Sequence, residues 1–207
     1  MVRVALPPPI HAPVPLFHTL SAGQDLVRLF DPTRHNTTAL SFRYFGPLLR
    51  FDHHRSSSGL PEADLERGVY YGGFTLSCCI VEVFGDSGIL HCGDWHVAMP
   101  RLKRDVRLLD LRGKGAMRAG SVAALGKVPD HSLSQVWSRW FYEQIEYQQP
   151  DGLLWYNAHN DEDAFVLYER AEDALECPPE CVLRLDNPSL HPVLEQIALA
   201  NNLVVVP

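Results

Sequence analysis

No stretch of the 207-residue chain approaches the roughly 18 consecutive apolar residues of a membrane-spanning helix. The amino terminus, Met1-Val-Arg-Val-Ala-Leu-Pro-Pro-Pro, has prolines where a secretory signal carries its apolar stretch, so a cytoplasmic setting is expected. Positive charge is scarce: 18 Lys and Arg stand against 25 Asp and Glu, for a net charge of −7. That balance argues against a broad basic surface for nucleic acid. It leaves room for a small anionic ligand, which needs only a few arginines converging in one cleft. The cysteines are few and odd in number, five, and Cys78 and Cys79 are adjacent, so no disulfide framework is expected. The phosphate-binding Gly-x-x-x-x-Gly-Lys-Ser/Thr loop is missing, and Gly113-Lys-Gly115 is too short to replace it. Ser77, His131 and Asp151 lack the Gly-x-Ser-x-Gly elbow of a serine hydrolase. Ten histidines invite a metal, yet neither His53-His54, nor His91-Cys92-Gly-Asp94-Trp-His96, nor the pair Cys177 and Cys181 completes a ligand set, so no metal is expected.

What remains is an ordinary globular composition, 46% hydrophobic and 21% charged. Residues 1–16, with Pro7, Pro8, Pro9, Pro13 and Pro15, read as an extended, poorly packed arm. Globular patterning begins at Phe17. Val69-Tyr-Tyr71 reads as a strand, and Thr75 can cap a helix through Phe84, although the β-branched content of that run also suits a strand. Further strands are expected at Val106 to Leu111, Leu153 to Tyr156, Ala164 to Tyr168 and Val182 to Leu185. A helix capped by Asp130 or Ser132 should run to about Tyr147, and another should start at Ser189 before the apolar run Leu203 to Val206. This irregular interleaving predicts an α+β, or mixed α/β, single domain with one hydrophobic core. Its divisions are the arm, a main body over 17–175 and a carboxyl-terminal extension, 176–207, packing on that body.

Three residues could form a chemical site. Arg50 offers the planar, permanently charged fork suited to a pyrophosphate. Tyr71, at a strand end, can pack on a ring. Glu82 lies inside the apolar run Cys78-Cys-Ile-Val-Glu-Val-Phe84, where a carboxylate is costly unless it is exposed, paired or functional.

The ordered set Leu49-Arg50-Phe51-Asp52, Gly68-Val-Tyr-Tyr71 and Ile80-Val-Glu82 resembles the RES domain, the NAD⁺-consuming toxin of bacterial toxin–antitoxin pairs. The step from Tyr71 to Glu82 matches the family pattern and selects Tyr71 over Tyr70. Val27-Arg28-Leu29 resembles the family's first arginine. The likeness continues through the tryptophan-bearing segment Trp137 to Tyr142, the Asp151-Gly152 turn and the strands after it, so that it spans about Phe17 to Arg170. The family's usual serine is replaced by Asn157, and its usual Gly-Arg-Trp/Phe context by Leu-Leu-Arg-Phe-Asp-His-His.

The resemblance implies an ADP-ribosyltransferase-like fold that binds NAD⁺ as substrate and cleaves its nicotinamide–ribose bond. The ADP-ribosyl acceptor would be phosphate, water or a protein. Arg28 and Arg50 would clamp the pyrophosphate, Tyr71 would pack on the nicotinamide or its ribose, and Asn157 would bond a ribose hydroxyl or phosphate. Glu82 would hold ribose hydroxyls and stabilise the cationic transition state. An antitoxin, often one with a DNA-binding domain, is the implied partner, with direct nucleic-acid or membrane binding not expected and a homo-oligomer left open. The alternative is a catalytically degenerate RES fold acting as an interaction module, with Trp137, Trp140, Phe141 and Tyr142 as its contact surface.

Overall fold

Short apolar segments of alternating facing set the frame. The computed structural model describes residues 3–206, so residues 1 and 2 of the expected arm and residue 207 lie outside the described residues. Strands β1 (Phe17–Leu20), β2 (Arg28–Phe30) and β3 (Val69–Gly73) precede helix α1 (Leu76–Phe84). Then come β4 (Ile89–His91), β5 (His96–Ala98), β6 (Val106–Asp110), α2 (Lys114–Arg118) and α3 (His131–Glu143). The chain closes with β7 (Gly152–Tyr156), β8 (Asp163–Tyr168), β9 (Val182–Arg184), α4 (His191–Ala200) and β10 (Val204–Val206). The architecture is mixed α/β. No helix among the described residues is long and apolar enough to cross a membrane.

The main sheet has the order β1-β6-β7-β8-β3. Only β6 and β7 run parallel; the other neighbours are antiparallel. Parallel neighbours need a long crossover, and the connection here carries α2 and α3. Strands β7 and β8 are nearly all apolar because both of their faces are covered. Leu153, Trp155, Ala164, Val166 and Tyr168 pack with Trp137 and Phe141 of α3. Leu154, Phe165 and Leu167 face the other way, toward Leu20, Tyr70 and Leu108. The same alternation separates Tyr70 from Tyr71, which packs on the α3 side. A second sheet, β9-β5-β2, joins α1 and α4 around Ile80, Phe84, Val97, Leu185, Leu194 and Ile197. The interior expected as one core is therefore three clusters, divided by the main sheet and by α1. Parallel pairing of β10 with β4 ties in the carboxyl-terminal residues.

Most expected elements are present, and the departures have local causes. The strand-or-helix choice at residues 75–84 falls to helix, because the Thr75 hydroxyl accepts from the Cys78 amide at 2.9 Å and caps it. The helix from Asp130 stops at Glu143 rather than Tyr147, where Gln144 turns extended and a single tight turn follows. The amino-terminal arm is largely exposed, with Leu6, Ile10 and Val14 mostly in solvent, yet hydrogen bonds tie it to the body. The Trp137 indole donates to the Ala5 carbonyl at 2.7 Å, and Val14 and Arg118 exchange hydrogen bonds. An extended proline-rich segment leaves carbonyls free to accept from neighbours. The aromatic group on α3 is core, not a contact surface: Trp137 and Phe141 are buried, and Trp140 and Tyr142 lean on the same cluster.

Two fully buried histidines carry a stability prediction. His53 Nε2 pairs with Glu169 at 3.0 Å, and His54 Nε2 pairs with the Arg43 carbonyl at 3.1 Å, while neither Nδ1 has a partner. Both acceptors need a proton on Nε2, so the neutral Nε2–H tautomers fit; a second proton would have no partner at His53 and only Asp52, 3.9 Å away, at His54. Burial pushes both imidazoles below 6.5. With folded pKa values below the unfolded ones, their contribution is full above about pH 6.5 and is lost as pH falls from there toward the folded values. The expected loss is up to about 1.4 kcal/mol per pH unit for each imidazole. Urea midpoints measured from pH 7.5 to 5 should fall, and a flat profile would contradict the neutral buried pair.

Candidate active site

Helical spacing places Cys78, Cys79, Glu82 and Val83 on one ridge of α1. With Leu29 of β2, Tyr71 and Gly72 of β3, Trp155 of β7 and Ala164 of β8, that ridge lines a hollow with about 370 Å³ of empty space, its open mouth included. The neighbouring buried residues Ile80, Val81 and Phe84 anchor the helix, which leaves Glu82 on its open side. A larger hollow, between the 47–59 segment and α3, contains none of the expected site residues.

The Glu82 carboxylate makes no hydrogen bond or ion pair among the described residues, although protein atoms crowd it on the cleft side. That crowding raises its pKa above 4.5, against the opposing charges of Arg50 and His159, and Asp86 adds to the rise. Arg50 approaches from the segment after β2 and is fixed by a bond from its guanidinium to the Val128 carbonyl. Burial lowers the Arg50 pKa, while Glu82, Tyr71 and Asp86 pull it back up. Arg50 and Glu82 thus feel each other's charge without forming an ion pair.

Tyr71 stands edge-on to Trp155, with ring centroids 6.2 Å apart. Its hydroxyl donates to Asp52 at 2.9 Å and accepts from the Phe51 amide at 3.0 Å. Burial, with Asp52 next in effect, holds its pKa well above 10, so it acts as a neutral donor and packing surface and not as a base. Asp52 is fully buried. It takes two bonds from Arg43, at 2.8 and 2.9 Å, and the amides of Leu48 and Leu49 at 2.5 and 3.0 Å. These bonds outweigh burial and keep its pKa below 3.8. The loop that presents Arg50 is therefore built on Asp52 and locked to Tyr71.

Tyr71 and Glu82 line the hollow and Arg50 lies near enough for its charge to act on both; Arg28 and Asn157 do not line it. Strand alternation turns Leu29 into the hollow and Arg28 away from it. The Arg28 guanidinium lies 4.2 Å above the Tyr70 ring and donates to the Ser41 carbonyl at 2.8 Å. Asn157 is fully buried. Its oxygen accepts from the amides of His159 and Asn160, both at 2.9 Å, and its nitrogen donates to Asn160 Oδ1 at 2.7 Å. Both residues are expected at a ligand from the sequence; in the structure the Asn157 amide is spent on its own turn, and Arg28 faces the Tyr70 ring instead of the hollow.

The site also contains residues that the sequence did not single out. His159 and Asp86 flank Glu82, and the only advance signal was that Asp86 follows Glu82 by one helical turn. Trp155 lines the hollow with its indole N–H buried and unpartnered. The sulfur chemistry is inert: burial pushes the Cys78 thiol up to about 12. Among the described residues, no three His, Cys, Asp or Glu side chains gather as a metal site.

The RES domain sequence profile matches residues 25–190. No curated protein matches. A chain of the crystal structure of the M. tuberculosis MbcT-MbcA toxin–antitoxin complex is similar in fold at 15% identity, with a TM-score of 0.56. The similarity covers 86% of this chain and 92% of that one.

Proposed function

Because the chain belongs to the RES domain family, we propose that it is an enzyme of the toxin type that cleaves NAD⁺ at its nicotinamide–ribose bond. The observation that carries this reading is Glu82: a carboxylate without a hydrogen-bond partner among the described residues, at the open edge of a largely apolar hollow and near enough to Arg50 for their charges to interact. Cleavage turns the ribose C1′ cationic while nicotinamide departs as a neutral ring. The leaving group needs little acid help, and the site's task is to hold a negative charge beside C1′. An apolar surround makes that charge more effective than it would be in water. Tyr71 and Trp155 offer aromatic surface for the nicotinamide–ribose end. The hollow suits that end better than a whole dinucleotide, and the pyrophosphate would lie along the mouth toward Arg50.

ADP-ribose would pass to water, phosphate or a protein. The similar fold in a toxin–antitoxin complex supports a protein antitoxin as partner. The test is a product assay. Protein incubated with NAD⁺, with and without phosphate, should release nicotinamide, and the ribose-containing product identifies the acceptor. No nicotinamide with water, with phosphate or with added bacterial protein extract as acceptor would refute the reading.

A further inference from the structure

We propose that His159 is the base that takes the proton from the acceptor, so that water is the acceptor this site is built to use. The inference rests on the reading of Glu82 as the centre of NAD⁺ cleavage. Three geometric observations carry it.

The loop bearing His159 is held rigidly. Asn157 accepts the His159 and Asn160 amides, and Asn160 Nδ2 donates to Glu162 at 2.7 Å and to Asn201 at 2.9 Å. Glu162 in turn binds the Ser77 hydroxyl at 2.5 Å and the Thr75 hydroxyl at the start of α1. Second, the opposite end of α1 makes room for the ring. A Cβ at Gly85 would lie 2.5 Å from His159 Nδ1. Gly85 and Asp86 follow Glu82 by three and four residues, so the ring rests on the helical face that carries Glu82. Third, His159 Nε2 lies 3.9 Å from Asp86 Oδ1, while the ring makes no hydrogen bond among the described residues. Its side chain remains 27% accessible to solvent. The result is the Glu82 carboxylate, an imidazole whose ring nitrogens make no hydrogen bond among the described residues, and a second carboxylate beside the ring.

The step balances as follows. The C1′–N bond breaks with its electron pair going to the ring nitrogen, and nicotinamide leaves neutral. A water oxygen bonds to C1′, its proton passes to His159, and His159 returns it to solvent. The products are ADP-ribose, nicotinamide and a proton. Water needs a base for this step, whereas an anionic nucleophile has no proton to lose. Asn157 shapes the turn from which His159 projects.

The experiment compares wild type, His159→Ala and His159→Gln, each checked for unchanged melting, with water alone and with added azide as nucleophile. Hydrolysis by both variants should fall by about 10²-fold, the low end of general-base effects. Capture of ADP-ribose by azide should stay within about twofold of wild type. Imidazole in the buffer should restore part of the hydrolysis by His159→Ala. Hydrolysis by the variants at the wild-type rate would overturn the assignment of His159 alone, as would an equal loss with water and with azide. A wild-type protein that consumes no NAD⁺ with either nucleophile would overturn the underlying reading, and this inference with it.

Discussion

Replacing Glu82 with Gln is expected to lower nicotinamide release from NAD⁺ by on the order of 10³-fold, the scale of losing a preorganised electrostatic contact to a transition state. By transition-state arithmetic that is about 4 kcal/mol. The fold should survive, because Glu82 makes no hydrogen bond among the described residues and sits on the open side of α1. Two small stability effects oppose each other. Glu82 has a folded pKa above its unfolded value, so its ionised form costs stability at neutral pH, and Gln removes that cost. Arg50 meanwhile loses an attractive neighbour. Melting should therefore shift by only a few degrees. Equal turnover by the variant would remove Glu82 from the mechanism, and loss of turnover accompanied by unfolding would show it to be structural.

On the proposed function, the raised pKa of Glu82 also gives the wild-type protein an acid limb. The carboxylate must be ionised to balance the cationic ribose, so initial rates should decline as pH falls through a value above 4.5. The buried imidazoles weaken the fold in the adjoining range, and the two effects separate by recovery. Brief acid exposure followed by assay at pH 7.5 restores a titrated carboxylate at once. A catalytically degenerate RES fold would show neither the limb nor the Glu82→Gln loss.

How much of this was legible in the sequence depended on whether the signal was local. The strand that contains Tyr71 and the Thr75 cap are short-range features, and both are present in the structure, the strand running on to Gly73. So does the near-continuous apolar run of β7 and β8, whose composition announces burial on both faces. Arg28 and Asn157 were misplaced because the family's order fixes their position in the chain and not the direction of their side chains. One step along β2 decides whether an arginine faces the hollow or the Tyr70 ring. Asn157 reads as a polar ligand in sequence, yet an asparagine before a polar loop can equally spend its amide on the turn. His159 and Asp86 escaped notice because their meeting depends on Gly85, a contact between residues more than 70 positions apart in the chain.

Asp52 shows the same limitation from the stability side, and replacing it by Ala should be the most damaging single change to the fold near the site. The sequence shows only an aspartate after Arg50-Phe51. In the structure it gathers Arg43, two backbone amides and the Tyr71 hydroxyl in a fully buried position. Removing one partner of a buried ion pair costs about 3–5 kcal/mol, because the remaining charge and donors lose their acceptor. For a chain of this size that corresponds to a fall in melting temperature on the order of 10 °C. Asp52→Asn keeps the shape but turns an amide nitrogen toward groups that are all donors, so it should fall between wild type and Asp52→Ala. The folded pKa of Asp52 is depressed, so its contribution is full above about pH 4 and is lost as pH falls through the folded value. That window lies below the one in which the buried imidazoles act. Nicotinamide release should drop with Asp52→Asn even where the protein remains folded, because the loop that aims Arg50 is built on the Asp52 carboxylate. Chemical denaturation and activity assays on the same samples separate the two effects. A variant as stable and as active as wild type would show that the Arg50 loop holds its shape without the Asp52 carboxylate.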